Sequence, residues 1–248
     1  MKTILIAGDS WGCGEWGRDG ISHPGLAAYF MAEDNSATVI NLSQPGGDNI
    51  TSSTRIDNFL ETNKNLNISH ILVFQTEWLR DCIPSSETFR TTESKKEFIQ
   101  NIAGGYIALR ERTISRFYYY LSNTSTTFNI PIYVVGGCSD TIWIDKLETE
   151  YPGVRIICQS QTSLVLENNH KTLDPVYALF TPQSEKIIRE IKSHLNNEDL
   201  NILLQDIDKG HKRLDLWNNN PTFFWPDGVH PNRKSHEILY QHIKKIVF

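Results

Sequence analysis

The sequence predicts an α/β protein in which helices cover both faces of a central parallel sheet of about five strands, a three-layer α/β/α sandwich. Five short runs are continuously apolar and rich in β-branched residues, which is typical of strands buried on both faces. Helix-like stretches separate these runs, and this alternation is that of a doubly wound fold. The runs lie at 3–7, 37–42, 70–74, 130–136 and 154–158.

Four helices are expected among these strands. They are predicted at 23–34, at 50–61, at 94–121 as a long helix that can be broken, and at 139–150, before Pro152. In the third, apolar residues recur three, four and seven positions apart, which puts them on one helix face. These residues are Ile107, Ile114, Phe117, Tyr118 and Leu121.

The segment 159–215 is expected to be a mostly helical insertion, because the strand pattern ends at Cys158. Thr181 suits an N-cap with Pro182 at the first helical position, and a later helix is expected to stop at Gly210. Such a long excursion without strands fits a lid over the carboxyl edge of the sheet, and it equally fits padding of the fold.

A final helix is expected to start at Pro231, with Leu239, Ile243 and Ile246 on one face. At 248 residues the chain suits a single domain, 1–248, with a full hydrophobic core. No internal repeat or low-complexity tract divides it.

Charge and composition disfavour several function classes. The net charge is −5 and the Lys and Arg residues are scattered, so nucleic acid is not an expected partner. The four cysteines lie far apart without a CxxC pair, and the histidines show no HxH or HExxH spacing, so no metal is expected. The apolar run at the N-terminus is too short for a secretory signal or a membrane span, which predicts a cytoplasmic location.

The stretch GDSW, residues 8–11, follows the first predicted strand directly. Glycine, aspartate and serine are what an ordinary strand-ending turn needs. The same turn can also expose Ser10 as a nucleophile, and the four residues alone do not decide between the two interpretations.

A second candidate group lies near the C-terminus, in FFWPDGVHPNRKSHE at residues 223–237. Asp227 and His230 are three residues apart, in a turn that leads into the last helix, so both side chains can lie on one side of the chain. A carboxylate in that position can hold the tautomer of an imidazole and stabilise the imidazolium that forms when the base takes a proton.

Together these stretches resemble the SGNH (GDSL) hydrolase superfamily, serine esterases and lipases on a flavodoxin-like sheet. The resemblance makes Ser10 the nucleophile, His230 the general base and Asp227 its orienting acid. It also makes the amide of Ser10 an oxyanion donor. The block VINLSQPGGDN resembles the one that carries the second donor. Counting from Asn41 points to Gly46, and the Gly-Asp match points to Gly47, which we prefer because it keeps the Gly-Asp pair intact.

The third block departs from the family pattern of Gly-x-Asn-Asp. The stretch ILVFQTEWLRD has Gln75 at the glycine and Glu77 at the asparagine, whose amide would donate to the oxyanion. An ionised Glu77 cannot donate. We therefore expect Gln75 to supply the third donor, with two alternatives: a hole of backbone amides only, or a purely structural Gln75.

The resemblance implies a serine hydrolase that cleaves a small-molecule or glycan ester through an acyl-enzyme, without a metal or organic cofactor. Side chains and backbone near the expected sheet edge are candidates for substrate contact: Asp9, Trp11, Gly46, Asn49, Glu77 and Trp78. Two alternatives remain: a binding module of the same fold for an acylated or glycan ligand, and a nucleotide binder. The second is disfavoured, because the loop after the first strand has no GxGxxG and carries Asp9 and Glu15, which would repel phosphate.

Overall fold

The structure is a computed structural model that describes residues 2–33, 37–82, 96, 100–141, 147, 149–167, 173–178, 192–225 and 229–247. Seven strands lie among them: β1 (Thr3–Ala7), β2 (Glu15–Gly17), β3 (Gly20–His23), β4 (Thr38–Asn41), β5 (Ile68–Gln75), β6 (Ile132–Gly136) and β7 (Val154–Cys158).

The described helices alternate with these strands. They are α1 (Ser10–Cys13), α2 (Leu26–Glu33), α3 (Asn49–Thr62), α4 (Leu79–Cys82), α5 (Tyr106–Phe128), α6 (Gln161–Glu167), α7 (Asn197–Asn218) and α8 (Arg233–Val247), with a short 3-10 turn at Lys192–His194. None of the described helices has the length and apolar character that crossing a membrane requires.

Five strands form one parallel sheet in the order β4-β1-β5-β6-β7. This is the flavodoxin-like order, in which the chain reverses direction across the sheet beside its first strand. All five predicted strands are present, within two residues at each end. The predicted flavodoxin-like α/β/α sandwich is therefore confirmed.

The two faces of the sheet carry separate cores, because successive residues of a strand point to opposite sides. In β1, Leu5 and Ala7 pack with α3 and α5, whereas Ile4 and Ile6 pack with α2 and α8. The continuous apolar runs of the sequence follow from this burial on both faces.

The third predicted helix is broken, as the sequence allowed, and it ends later than predicted; its expected start at Ser94 lies outside the described residues. Its break lies at Gly105, which has φ +115°, outside the range that other residues adopt comfortably. Helix α5 then continues to Phe128 rather than ending at Leu121, and it ends where Asn129 takes the left-handed conformation. Within the predicted 139–150 helix, positions 142–146 and 148 lie outside the described residues.

Helix α7 corrects the expectation of a stop at Gly210. The helix runs through this buried glycine to Asn218, because Leu203 packs in one core and Trp217 in the other. That packing outweighs the roughly 1 kcal/mol that an interior glycine costs a helix. Thr181 and Pro182 lie outside the described residues.

Helix α8 begins at Arg233, two residues later than predicted. Leu239, Ile243 and Ile246 lie on one face of the helix, as predicted; Leu239 and Ile243 are buried, whereas Ile246 is exposed. The helix ends one residue later, and a terminal turn has little of the core left to pack against.

A hairpin follows α1 where the sequence suggested only a glycine-rich loop. Strands β2 and β3 pair antiparallel, with Trp16 opposite Ile21 and Gly17 opposite Gly20. Strands of three and four residues, with a glycine on each side of the turn, give little periodicity to detect. The hairpin places Trp16 beside the end of β1.

Candidate active site

Ser10 lies at the carboxyl edge of the sheet, as the first residue of α1. The carboxylate of Asp9 caps this helix and accepts from the amide of Trp11 at 3.0 Å. The amide of Ser10 donates to no acceptor among the described residues. A backbone amide that lacks an acceptor at the start of a helix can donate to a negatively charged group.

Gly8 makes the bend before Ser10 possible. It has φ +144°, and a Cβ there would lie 2.6 Å from Cβ of Phe74 at the end of β5. Only glycine lets the turn press this closely against the neighbouring strand.

The loop that follows β4 lies against the same turn. The amide of Gln44 donates to the carbonyl of Gly8 at 3.0 Å, and a Cβ on Gly47 would lie 3.4 Å from that carbonyl oxygen. The amide of Gly47 already donates to the carbonyl of Gln44 at 3.1 Å. Gly46, at φ +69°, donates to no acceptor among the described residues. The amide of the expected donor, Gly47, is thus already engaged and that of Gly46 is not, and the identity of the second oxyanion donor stays a prediction.

His230 reaches this edge from the far end of the chain. Its ring lies 5.1 Å from the ring of Trp16, centroid to centroid. The indole nitrogen of Trp16 donates to the backbone carbonyl of Ser10 at 3.0 Å. Trp16 therefore contacts both the predicted nucleophile and the predicted base. Asp227 lies outside the described residues, so its pairing with His230 stays a prediction.

Gln75 is the last residue of β5, and its side chain is buried. Its Oε1 accepts from the hydroxyl of Tyr118 at 2.6 Å. This contact orients the amide and leaves the Nε2 end to donate elsewhere. The role of Gln75 as third oxyanion donor stays a prediction.

Asp9 and Glu77 share one cation, Arg80. The Arg80 Nε lies 2.9 Å from Glu77, and its guanidinium lies 3.5 Å from Asp9. Burial works to lower the pKa of Arg80, but nearby Cys138, Glu77 and Asp9 outweigh it and leave that pKa raised. Arg80 therefore stays charged and offsets the negative charge that Glu77 would bring toward an oxyanion.

Three of the residues expected to contact substrate have other contacts in the structure. Trp11 packs against Trp217 and Trp78 against Tyr106, each buried in a core. Asn49 is buried too, and its amide bridges both backbone groups of Thr76. Asn49 thus holds the start of α3 to the end of β5, and substrate contact by these three residues stays a prediction.

Asp81 also holds the start of α3 in place. Neither Asp81 nor Arg80 was predicted from the sequence. Asp81 accepts from the Asn49 side chain at 2.9 Å and from the amide of Ile50 at 3.0 Å. Burial raises the pKa of Asp81 to about 7, although both hydrogen bonds act to lower it. The i,i+3 spacing of Glu77 and Arg80 could have predicted their ion pair, since side chains at that spacing meet on a helical turn.

The described residues contain no group of three His, Cys, Asp or Glu side chains that could hold a metal ion. All four cysteines are free thiols, three of them buried.

Comparison with known proteins gives distant structural similarity alone. No family profile and no curated sequence matches the chain. The solved structures that resemble it include a lipase/acylhydrolase from Enterococcus faecalis, at 15% identity and TM-score 0.43, covering 99% of this chain and 94% of that one. A member of the lipolytic protein G-D-S-L family from Veillonella parvula matches at 12% identity and TM-score 0.45, with 100% and 98% coverage. A psychrotrophic esterase from Pseudoalteromonas sp. matches at 16% identity and TM-score 0.40, with 98% and 97% coverage.

Proposed function

We propose that this chain is a serine hydrolase that cleaves esters through an acyl-enzyme, with Ser10 as nucleophile, His230 as general base and Asp227 as the acid that orients it. The observation that carries the proposal is the position of Trp16. Its indole nitrogen binds the carbonyl of Ser10 and its ring lies against His230. Two residues from opposite ends of the sequence thereby share one neighbour at the carboxyl edge of the sheet, where open α/β sheets bind ligands.

The reaction follows from these groups. Ser10 Oγ attacks the acyl carbonyl while His230 takes its proton. The amide of Ser10, the amide of Gly46 or Gly47 and the Nε2 group of Gln75 stabilise the oxyanion. His230 then gives its proton to the leaving alkoxide oxygen as the acyl C–O bond breaks. Water, deprotonated by His230, then attacks the acyl carbonyl. As the bond between the acyl carbon and Ser10 Oγ breaks, His230 returns that proton to Ser10 Oγ and the carboxylic acid leaves.

The experiment is active-site labelling combined with ester hydrolysis. A fluorophosphonate should modify the wild type at Ser10, located by peptide mass spectrometry. The Ser10→Ala and His230→Ala variants should hydrolyse p-nitrophenyl acetate about a thousandfold or more slowly than the wild type. The matched control is Ser22→Ala, which removes an exposed serine hydroxyl on the neighbouring strand β3. Unchanged hydrolysis in Ser10→Ala would refute the proposal.

The second candidate function is a binding module for an acylated or glycan ligand, and the same experiment tests it. It is favoured by Glu77, a carboxylate where an amide donor is expected. Losing one oxyanion donor typically costs about a hundredfold or more in rate. A wild type that neither reacts with the fluorophosphonate nor hydrolyses the ester would favour this function.

A further inference from the structure

The surroundings of His230 include an apolar surface. Trp16 and Ile21 are directly opposite each other in the β2–β3 hairpin, so their side chains lie on the same face. Ile21 is 50% exposed, and Val229, the residue before His230, is 36% exposed. We call Trp16, Ile21 and Val229 the apolar rim of His230.

Single exposed apolar residues are ordinary on a protein surface. Here, however, both exposed residues neighbour the same ring pair, Trp16 and His230, whose centroids are 5.1 Å apart. Ile21 is the cross-strand partner of Trp16, and Val229 precedes His230 in the sequence. The hairpin is also fastened at this place, because Trp16 donates to the carbonyl of Ser10. Trp16 and Ile21 are therefore held beside Ser10 and His230, the groups that would react.

We propose that the apolar rim binds the alcohol part of the substrate, so that the enzyme prefers esters of apolar alcohols. This inference rests on the proposed function. His230 must hand its proton to the leaving oxygen, and a general acid has to lie within hydrogen-bond reach of the atom that it protonates. The carbon chain attached to that oxygen consequently lies against the residues around His230. The acyl chain is attached on the other side of the reacting carbon.

The test uses pairs of isomeric esters, which differ only in the side that carries the chain. Butyl acetate and hexyl acetate lengthen the alcohol, whereas ethyl butyrate and ethyl hexanoate lengthen the acyl group by the same atoms. With the wild type, kcat/KM should rise about twofold for each methylene added to the alcohol, less than full burial would give. It should change little along the acyl series.

Two variants locate the effect. Ile21→Ser and Val229→Ser should each flatten the alcohol series, lowering kcat/KM for hexyl acetate about threefold relative to ethyl acetate. Ile246→Ser is the matched control, because Ile246 is 51% exposed on helix α8 and lies outside the rim. It should leave both series as in the wild type.

The outcomes separate the two proposals. Equal rates for the two isomers, or a steeper rise along the acyl series, would overturn the rim as an alcohol site while Ser10-dependent hydrolysis still supports the proposed function. An alcohol preference that persists in both rim variants would also overturn it. If no ester is hydrolysed in a Ser10-dependent way, the proposed function fails and this inference fails with it.

Discussion

Arg80 is the cation that pairs with both acidic side chains near Ser10, those of Asp9 and Glu77. The side chain of Asp9 is fully buried and that of Glu77 is 7% exposed, and Arg80 contacts both. Because Asp9 also caps α1, Arg80 acts on the position of Ser10 through Asp9. A buried ion pair adds little net stability, but removing one partner leaves a charge that is desolvated and unpaired.

Replacing Arg80 by glutamine should lower the free energy of unfolding by about 2 kcal/mol, less than for a fully buried pair because the Arg80 side chain is 30% exposed. Urea denaturation measures the change. Lys64→Gln is the control, since Lys64 pairs with Glu61 at the same i,i+3 spacing on the surface, where such pairs contribute little.

A double-mutant cycle with Glu77→Gln checks the cause of that loss. The cost of Arg80→Gln should shrink when Glu77 is already neutral. Additive costs in the double variant would mean that Arg80 acts through packing, and the electrostatic explanation would then be wrong.

At this scale the sequence predicted the residue types better than their contacts. The turn of Gly8, Asp9 and Ser10 follows from local chemistry, since each residue suits its position in a strand-to-helix bend. The contact of Arg80 with Asp9 joins distant parts of the chain. So does the contact of Trp16 with His230, and no local pattern encodes either. The burial of Trp11 and Trp78 was likewise not predictable from local sequence, because it depends on contacts with Trp217 and Tyr106 in distant helices.

Among the elements, the junction of α3 and α4 is held by a carboxylate. Asp81 accepts from the amide of Ile50, at the positive end of α3, and from the side chain of Asn49. Burial nevertheless raises the pKa of Asp81 from 3.8 to about 7. In the unfolded chain the carboxyl binds its proton only near the ordinary value.

The contribution of Asp81 to the free energy of unfolding should therefore rise as the pH falls from 8 through 7 towards 4, because the folded state takes up a proton that the unfolded state does not yet bind. The Asp81→Asn variant lacks this uptake. Urea unfolding should show the wild type gaining about 2 kcal/mol over that variant between pH 8 and pH 5.

The control for this pH dependence is Asp208→Asn, which removes an exposed carboxylate of α7 and should keep a constant difference from the wild type. A gap between wild type and Asp81→Asn that is the same at both pH values, or widest at pH 8, would mean that burial does not control the ionisation of Asp81.

The elements were predicted according to how strongly they are buried. The inner strands β1, β5 and β6 were found because burial on both faces leaves a continuous apolar run. The edge strands β4 and β7 are less buried, and their β-branched residues revealed them. The hairpin was missed because its strands are short and half exposed, and α7 was ended too early because a glycine outweighed the packing that only the fold reveals. Sequence patterns reveal burial, so they gave little signal for the partly exposed hairpin. In α7 they were misleading, because glycine has a low helix propensity but is buried inside a helix here.

In the whole molecule, α7 decides whether the segment 159–215 behaves as a lid or as part of the fold. Leu203 packs in the core on the α3–α5 face, and Trp217 packs against Trp11 in the opposite core. Arg213 also pairs with Asp140 at 2.8 Å, and both side chains are buried. A helix that packs in both cores should unfold together with the sheet, and the single domain over 1–248 stays a prediction that this expectation tests.

Leu203→Ala tests this directly. Leu203 is 1% exposed, so the substitution should lower the free energy of unfolding by about 3 kcal/mol. Far-UV circular dichroism and tryptophan fluorescence should follow one shared transition, and both midpoints should fall together. The neighbouring Leu204 is 42% exposed, and Leu204→Ala should change stability by less than about 0.5 kcal/mol. If α7 were a lid that opens alone, Leu203→Ala would instead shift an early transition in helix content and leave the main fluorescence transition unchanged.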